Sequence, residues 1–198
     1  MVTSLRLADV VAGALGLSAQ TVVQHVKNLQ AHELLLSTGR GRGAAQMRPL
    51  DAARLVLATA GSDLVKDSVE TVESFGRLLP IGRAGTPGAN IRLEDHLAGL
   101  LTDIAARARA GEHADADGRP SYLSLSLLSA ASIGRPLPRA AVARRILARG
   151  VGAISFATGD WPTPEVSAGS YAARVGAAGL VRERHVTIGA LERIASSL

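Results

Sequence analysis

The chain contains no cysteine. That excludes disulfides, thiolate zinc sites and cysteine nucleophiles outright. Aromatic residues make up only 3% of the 198 positions while 47% are hydrophobic, so a core has to be built from Leu, Val, Ile and Ala. Lysine is almost missing: Lys27 and Lys66 stand beside 20 arginines. A guanidinium-rich surface suits bidentate contact with phosphate, although a GC-rich coding sequence gives the same bias together with abundant Ala and Gly. No apolar run reaches the roughly 18 residues that span a bilayer. The N-terminus also lacks a basic region followed by an apolar signal core. The expectation is a cytoplasmic protein with no membrane partner.

Motifs for chemistry are equally scarce. There is no Gly-x-x-x-x-Gly-Lys phosphate loop, and no Gly-x-Gly-x-x-Gly between a strand and a helix. Ser121, Ser124, Ser126 and Ser129 lack a Gly-x-Ser-x-Gly elbow, and their spacing is that of a strand's solvent side. His113, Asp115 and Asp117 alternate in an acidic loop with no histidine pair nearby, which describes a solvated stretch better than a metal site. Glu94, Asp95 and His96 open a helix, where carboxylates stabilise the amide end. Trp161, beside Pro162 and Pro164, anchors a long loop or meets a partner. These readings leave no catalytic residue, no metal and no cofactor, and the chain reads as non-enzymatic.

Charge is unevenly spread. Residues 1–60 carry 6 basic and 3 acidic side chains, 61–117 carry 6 and 10, and 118–198 carry 10 and 4. A polyanion is attracted to both ends and repelled by the middle. The middle is thus expected to serve protein contacts.

The most informative stretch runs from Leu7 to Gln30. Val10, Val11, Ala14 and Leu15 mark one face of a short helix, and Gly16 stands where the chain must turn. Leu17 plugs the turn, and Ser18 is placed to cap a second helix through the amide of Thr21. Val22, Val23, Val26 and Leu29 then recur at helical spacing and face inward. Gln20, Thr21, Gln24, His25, Lys27 and Asn28 are left as an outward polar set without a carboxylate. Next come an apolar run, Glu33 to Ser37, a glycine/arginine tip with Arg40 and Arg42, and a second arm from Ala44 to Arg48. Strand, tight tip and strand is the layout of a hairpin.

This stretch resembles the winged helix-turn-helix of bacterial and phage DNA-binding regulators, over roughly the first 60 residues. The resemblance implies that the helix spanning 18–31 lies in the major groove of double-stranded DNA, presenting Ser18, Gln20, Thr21, Gln24, His25, Lys27 and Asn28. Gln and Asn suit bidentate pairing with adenine, and Lys suits guanine or phosphate. The tip arginines Arg40 and Arg42, with Arg48 behind them, would grip the backbone or reach the minor groove. The helix that precedes the motif in that family is not evident, since only six residues come before Leu7. A later helix, from Asp51 or from Asp63, would have to take its place.

Beyond the motif, a helix is expected from Pro49 and Asp51 to about Ala60, and another from Asp63 to Leu79. The latter puts Val65, Val69, Val72, Phe75 and Leu79 on one stripe. That stripe would seat on the N-terminal helices or on a second copy. Pro80 to Asn90 holds three glycines and two prolines, the composition of a linker. A helix then covers Leu93 to Ala110. Strands follow at Ser121–Leu128 (with Leu123, Leu125 and Leu127 inward), Val151–Ala157 and Val181–Ile188, with a terminal helix from Gly189. Ala140–Leu147 fits a helix through Val142 and Ile146 or a strand face through Val142, Arg144 and Ile146, and the alternation on either side favours a strand. Arg182 and Arg184 share one outward strand face, and next to Arg144 they would form a basic patch. The fold class expected is α+β: a winged helix-turn-helix domain over 1–79, a linker over 80–91, and a small α+β domain over 92–198 with a mainly antiparallel sheet.

The leading function is a DNA-binding transcription regulator acting as a homodimer, with 92–198 for assembly or a protein partner. Small terminase subunits of phage packaging motors also resemble a helix-turn-helix followed by an oligomerising region, usually helical and without a sheet. A module whose helical hairpin serves protein contacts alone is a third reading.

Overall fold

Thr3 starts the first helix. Its Oγ1 accepts the Arg6 amide at 3.4 Å, and α1 runs over Ser4–Leu15. Gly16 ends it at φ 68°, a left-handed conformation in which a Cβ would be strained. Two residues later Ser18 Oγ accepts the Thr21 amide at 3.1 Å and opens α2, Ala19–Ala31. Pro49 occupies the first position of α3, Pro49–Gly61, where its missing N–H costs nothing. The Asp51 carboxylate turns back to accept the Arg48 amide at 2.8 Å. The structure, a computed structural model, describes residues 2–37, 45–81, 91–110, 122–130, 139–147, 150–157, 167, 171 and 181–198.

The helix expected over Asp63–Leu79 is divided. Leu64 is extended, a 3-10 turn covers Val65–Asp67, and α4 spans Ser68–Gly76. Val72 and Phe75 are buried as the stripe requires, but Leu78 is buried in place of Leu79. The chain leaves the helix at Gly76 because α5, Leu93–Arg109, approaches there. A Cβ on Gly76 would lie 3.2 Å from the Glu94 carboxylate. Leu79–Pro80 then become a short strand, β1. The stripe is spent on this chain's own core.

β2 (Tyr122–Ala130), β3 (Ala140–Leu147), β4 (Gly150–Ala157) and β5 (Val181–Thr187) complete a five-stranded sheet in the order β1-β4-β3-β2-β5. Every pairing is antiparallel. The chain is therefore α+β. Thr187 caps a last helix, α6 (Ile188–Ala195), so Ile188 opens this helix instead of closing β5.

Leu125, Leu127, Ala141, Ala143, Phe156 and Val186 carry the inner face of the sheet into one apolar cluster with all six of these helices. Residues assigned from sequence to two domains thus share a core, and β1, at the head of the expected linker, pairs with β4. The opposite sheet face is covered as well: Leu128, Ala140, Val142, Ala157 and Tyr171 form a second, smaller cluster. β2 is consequently not half-solvated. Ser126 is fully buried, and its hydroxyl bonds His185 Nδ1 on the neighbouring strand at 2.8 Å.

Charge pairing explains how a chain with basic ends and an acidic middle closes on itself. Arg182 and Arg184 do not face outward. Both guanidinium groups hold Asp63, just past the end of α3, and Arg184 also donates to the Gly61 carbonyl at 2.8 Å. Arg139 lies 3.7 Å from Glu70 and stacks over the Phe75 ring, 4.9 Å from its centroid. Arg54 Nε donates to Glu94 at 2.8 Å. Arg193 on α6 donates to the Ala14 carbonyl at 2.9 Å, closing the C-terminal end of α1. The side chains of Leu123, Arg144 and Arg145 lie outside the described residues, as do His113, Asp115, Asp117, Arg149 and Trp161 in full.

Candidate nucleic-acid interface

Helical geometry sorts the polar side of α2 into three strips. Gln20, Gln24 and Lys27 follow one another at four- and three-residue spacing and are all exposed, with Ala31 continuing the ridge. Ser18 is also exposed, and its Oγ lies 3.0 Å from the Thr21 hydroxyl while holding the Thr21 amide. Thr21 is half-buried and committed to this cap.

The second strip is closed. His25, expected to face outward, is only 4% exposed, and its Nδ1 is 2.7 Å from Ser68 Oγ at the start of α4. Asn28, half-buried, donates its amide to the Val65 carbonyl at 2.9 Å. These two side chains seat α2 on the 3-10 turn and α4. Sequence reasoning missed this because the partners lie 43 and 37 residues away. On the opposite flank, Gln30 donates to the Leu36 carbonyl at 3.0 Å and fixes the segment that leaves α2. The exposed ridge therefore runs between the 3-10 turn on one side and the chain leading towards Arg40 and Arg42 on the other.

The arms expected to make a wing are not strands in their described parts. Residues 33–37 and 45–48 are irregular, and the Met47 amide bonds the Val2 carbonyl at 2.9 Å instead of a facing arm. Glu33 takes φ 59° directly after α2, which ends the helix in a left-handed turn and breaks extended geometry where the first arm should begin. Arg40 and Arg42 lie outside the described residues. Arg48 is described: its Nε sits 3.4 Å from Asp51, and its side chain remains 58% exposed, open on one side. α3 packs on both α1 and α2, and α4 packs on α2 as well.

Burial pulls the His25 imidazole below its ordinary value, because the protonated ring would lose its hydration. A neutral folded His25 and an unfolded one that protonates near 6.5 give a definite sign. Its contribution is complete above that pH and is lost as pH falls below it, since the unfolded chain then binds the extra proton. We expect the wild-type chain to lose more stability between about pH 7.5 and 5.0 than His25→Gln, in urea unfolding at both pH values. Equal losses in the two proteins would contradict the buried, neutral assignment.

One other polar cluster has a simpler role. His185 bridges Ser126 on one side and approaches Glu183 at 3.6 Å on the other. With Ser126 fully buried, this chain of contacts stitches β5 to β2. Among the described residues no group of three or more His, Asp or Glu side chains is placed to hold a metal ion. No described helix is long and apolar enough to cross a membrane. No family model matches the chain, and neither a curated protein nor a solved structure matches it.

Proposed function

We propose that the chain is a DNA-binding transcription regulator that inserts α2 into the major groove. The observation that carries this reading is the open ridge of Gln20, Gln24 and Lys27 on a Ser18-capped helix, with α1 braced behind it across the Gly16 turn. An α-helix with side chains is about 10–12 Å across and the major groove about 12 Å wide, so such a ridge fits base edges. His25 and Asn28, engaged with α4 and the 3-10 turn, position the ridge and leave base contact to Gln20, Gln24 and Lys27. Arg40, Arg42 and Arg48 serve the phosphate backbone. The antiparallel sheet favours a regulator over a packaging subunit, whose middle region is expected to be helical. A homodimer would place two ridges on successive half-sites.

Selection of bound genomic fragments by the purified chain tests the proposal. We expect a recurrent sequence among them. Gln24→Ala should cost about 1–3 kcal/mol at that sequence and little elsewhere, and Arg40→Ala with Arg42→Ala should weaken all duplexes alike. Failure to retain any duplex at low salt would instead favour a module that uses the hairpin for protein contacts.

A further inference from the structure

We infer that the 3-10 turn Val65–Asp67 is a second phosphate-contact element of this interface, acting through Lys66. The inference rests on the DNA-binding reading and assigns a contact that the reading does not require. It starts from the sorting of the cations. Arg48, Arg54, Arg77, Arg139, Arg182, Arg184 and Arg193 all hold a carboxylate or a backbone carbonyl of this chain. Lys27 and Lys66 do not, and among the described residues neither do Arg6, Arg92 and Arg109. Lys27 and Lys66 are exposed and form no ion pair among the described residues. Both stand at one contact, because Asn28, the neighbour of Lys27, holds the carbonyl of Val65, the neighbour of Lys66. The turn that carries Lys66 is thus held beside the ridge on α2, 39 residues further along the sequence than Lys27.

Geometry supplies the occupant. A helix seated in a major groove has a phosphate strand along each flank, so an element packed against that helix meets one of them. The turn occupies one flank of α2, and the chain leading to Arg40 and Arg42 occupies the other. Local electrostatics permit an anion there despite the acidic sequence around it. Asp63 is held by both Arg182 and Arg184, and Glu70, largely in solvent, lies 3.7 Å from Arg139. Asp67 is half-buried at the head of α4, where the helix's amide end offsets its charge. The folded sheet thereby reduces the repulsion that the turn's sequence suggests. A compact, strongly hydrated ammonium at that place suits a phosphate oxygen as a point charge.

The test is a salt titration of the full chain on a fluorescein-labelled duplex of about 30 base pairs, read by anisotropy, for the parent, Lys66→Ala, Lys66→Arg and Lys27→Ala. One phosphate contact adds about 0.9 to the slope of log affinity against log salt, which accumulates to about eightfold between ~0.1 M and ~1 M. Lys66→Ala should lower the slope by that amount and the affinity at ~0.1 M about eightfold, and Lys66→Arg should restore both. With no partner to lose, Lys66→Ala should melt as the parent does, within about 0.5 kcal/mol. If the parent binds, Lys27→Ala weakens it and Lys66→Ala matches it in slope and affinity, the turn makes no contact and only this inference falls. A parent that binds no duplex at ~50 mM salt removes the DNA-binding reading and this contact together.

Discussion

Arg54→Ala will cost the fold about 3 kcal/mol, the lower end of the range for removing one partner of a buried ion pair. The Arg54 and Glu94 side chains are 20% and 10% exposed, so water screens the pair only a little. Losing the guanidinium strands the Glu94 carboxylate against Gly76 and takes a donor from the Leu34 carbonyl, which Arg54 Nη1 holds at 2.9 Å. Three segments meet at this one side chain: α3, α5, and the stretch that leaves α2 towards residues 38–44. Glu94→Ala should cost a similar amount, and the double variant should cost much less than the sum, with a coupling of at least about 1.5 kcal/mol. Urea unfolding of the four proteins measures it. Additive losses below about 0.5 kcal/mol each would mean that the pair is a surface contact.

Phe75→Ala is expected to cost about 4 kcal/mol, near the middle of the range for a fully buried ring. Phe75 has no exposed surface and closes the space between α3, α4 and the Arg139 guanidinium. Its fit is tight because Gly61 lacks a side chain. A Cβ there would stand 3.2 Å from Phe75 Cε2 and 2.7 Å from Thr71 Cγ2. Gly61→Ala should therefore destabilise by about 1–3 kcal/mol through overpacking, although it lies at a helix end where alanine is locally preferred. Thermal or urea melts of both variants check the pair of expectations. A Phe75→Ala cost below about 1 kcal/mol would place the ring outside the core.

What could be read from the sequence was what short-range physics decides. The Gly16 turn, the Ser18 cap and the start of α3 at Pro49 rest on bonds within a few residues, and the structure has each of them. Ala140–Leu147 fits a helix or a strand by spacing. Its strand identity follows from the alternating segments around it, as β3 bears out. The long-range pairings were hidden. Nothing near Asp63 signals Arg182 and Arg184, which are 119 and 121 residues away. His25 has the spacing of a groove contact until Ser68 arrives from α4. The packing of residues from both sides of the expected linker into one apolar cluster was hidden for the same reason, since composition marks a place to turn and says nothing about what packs across it.

The absence of cysteine gives the most direct test of the groove face. Gln24→Cys supplies a single attachment point in the middle of the exposed ridge, and Thr102→Cys supplies one on the exposed side of α5. A bulky maleimide adduct at position 24 should abolish binding of the full chain to a duplex that the unlabelled protein retains, while the same adduct at position 102 leaves binding intact. Undiminished binding with the adduct at position 24 would contradict the assignment of α2 to the major groove.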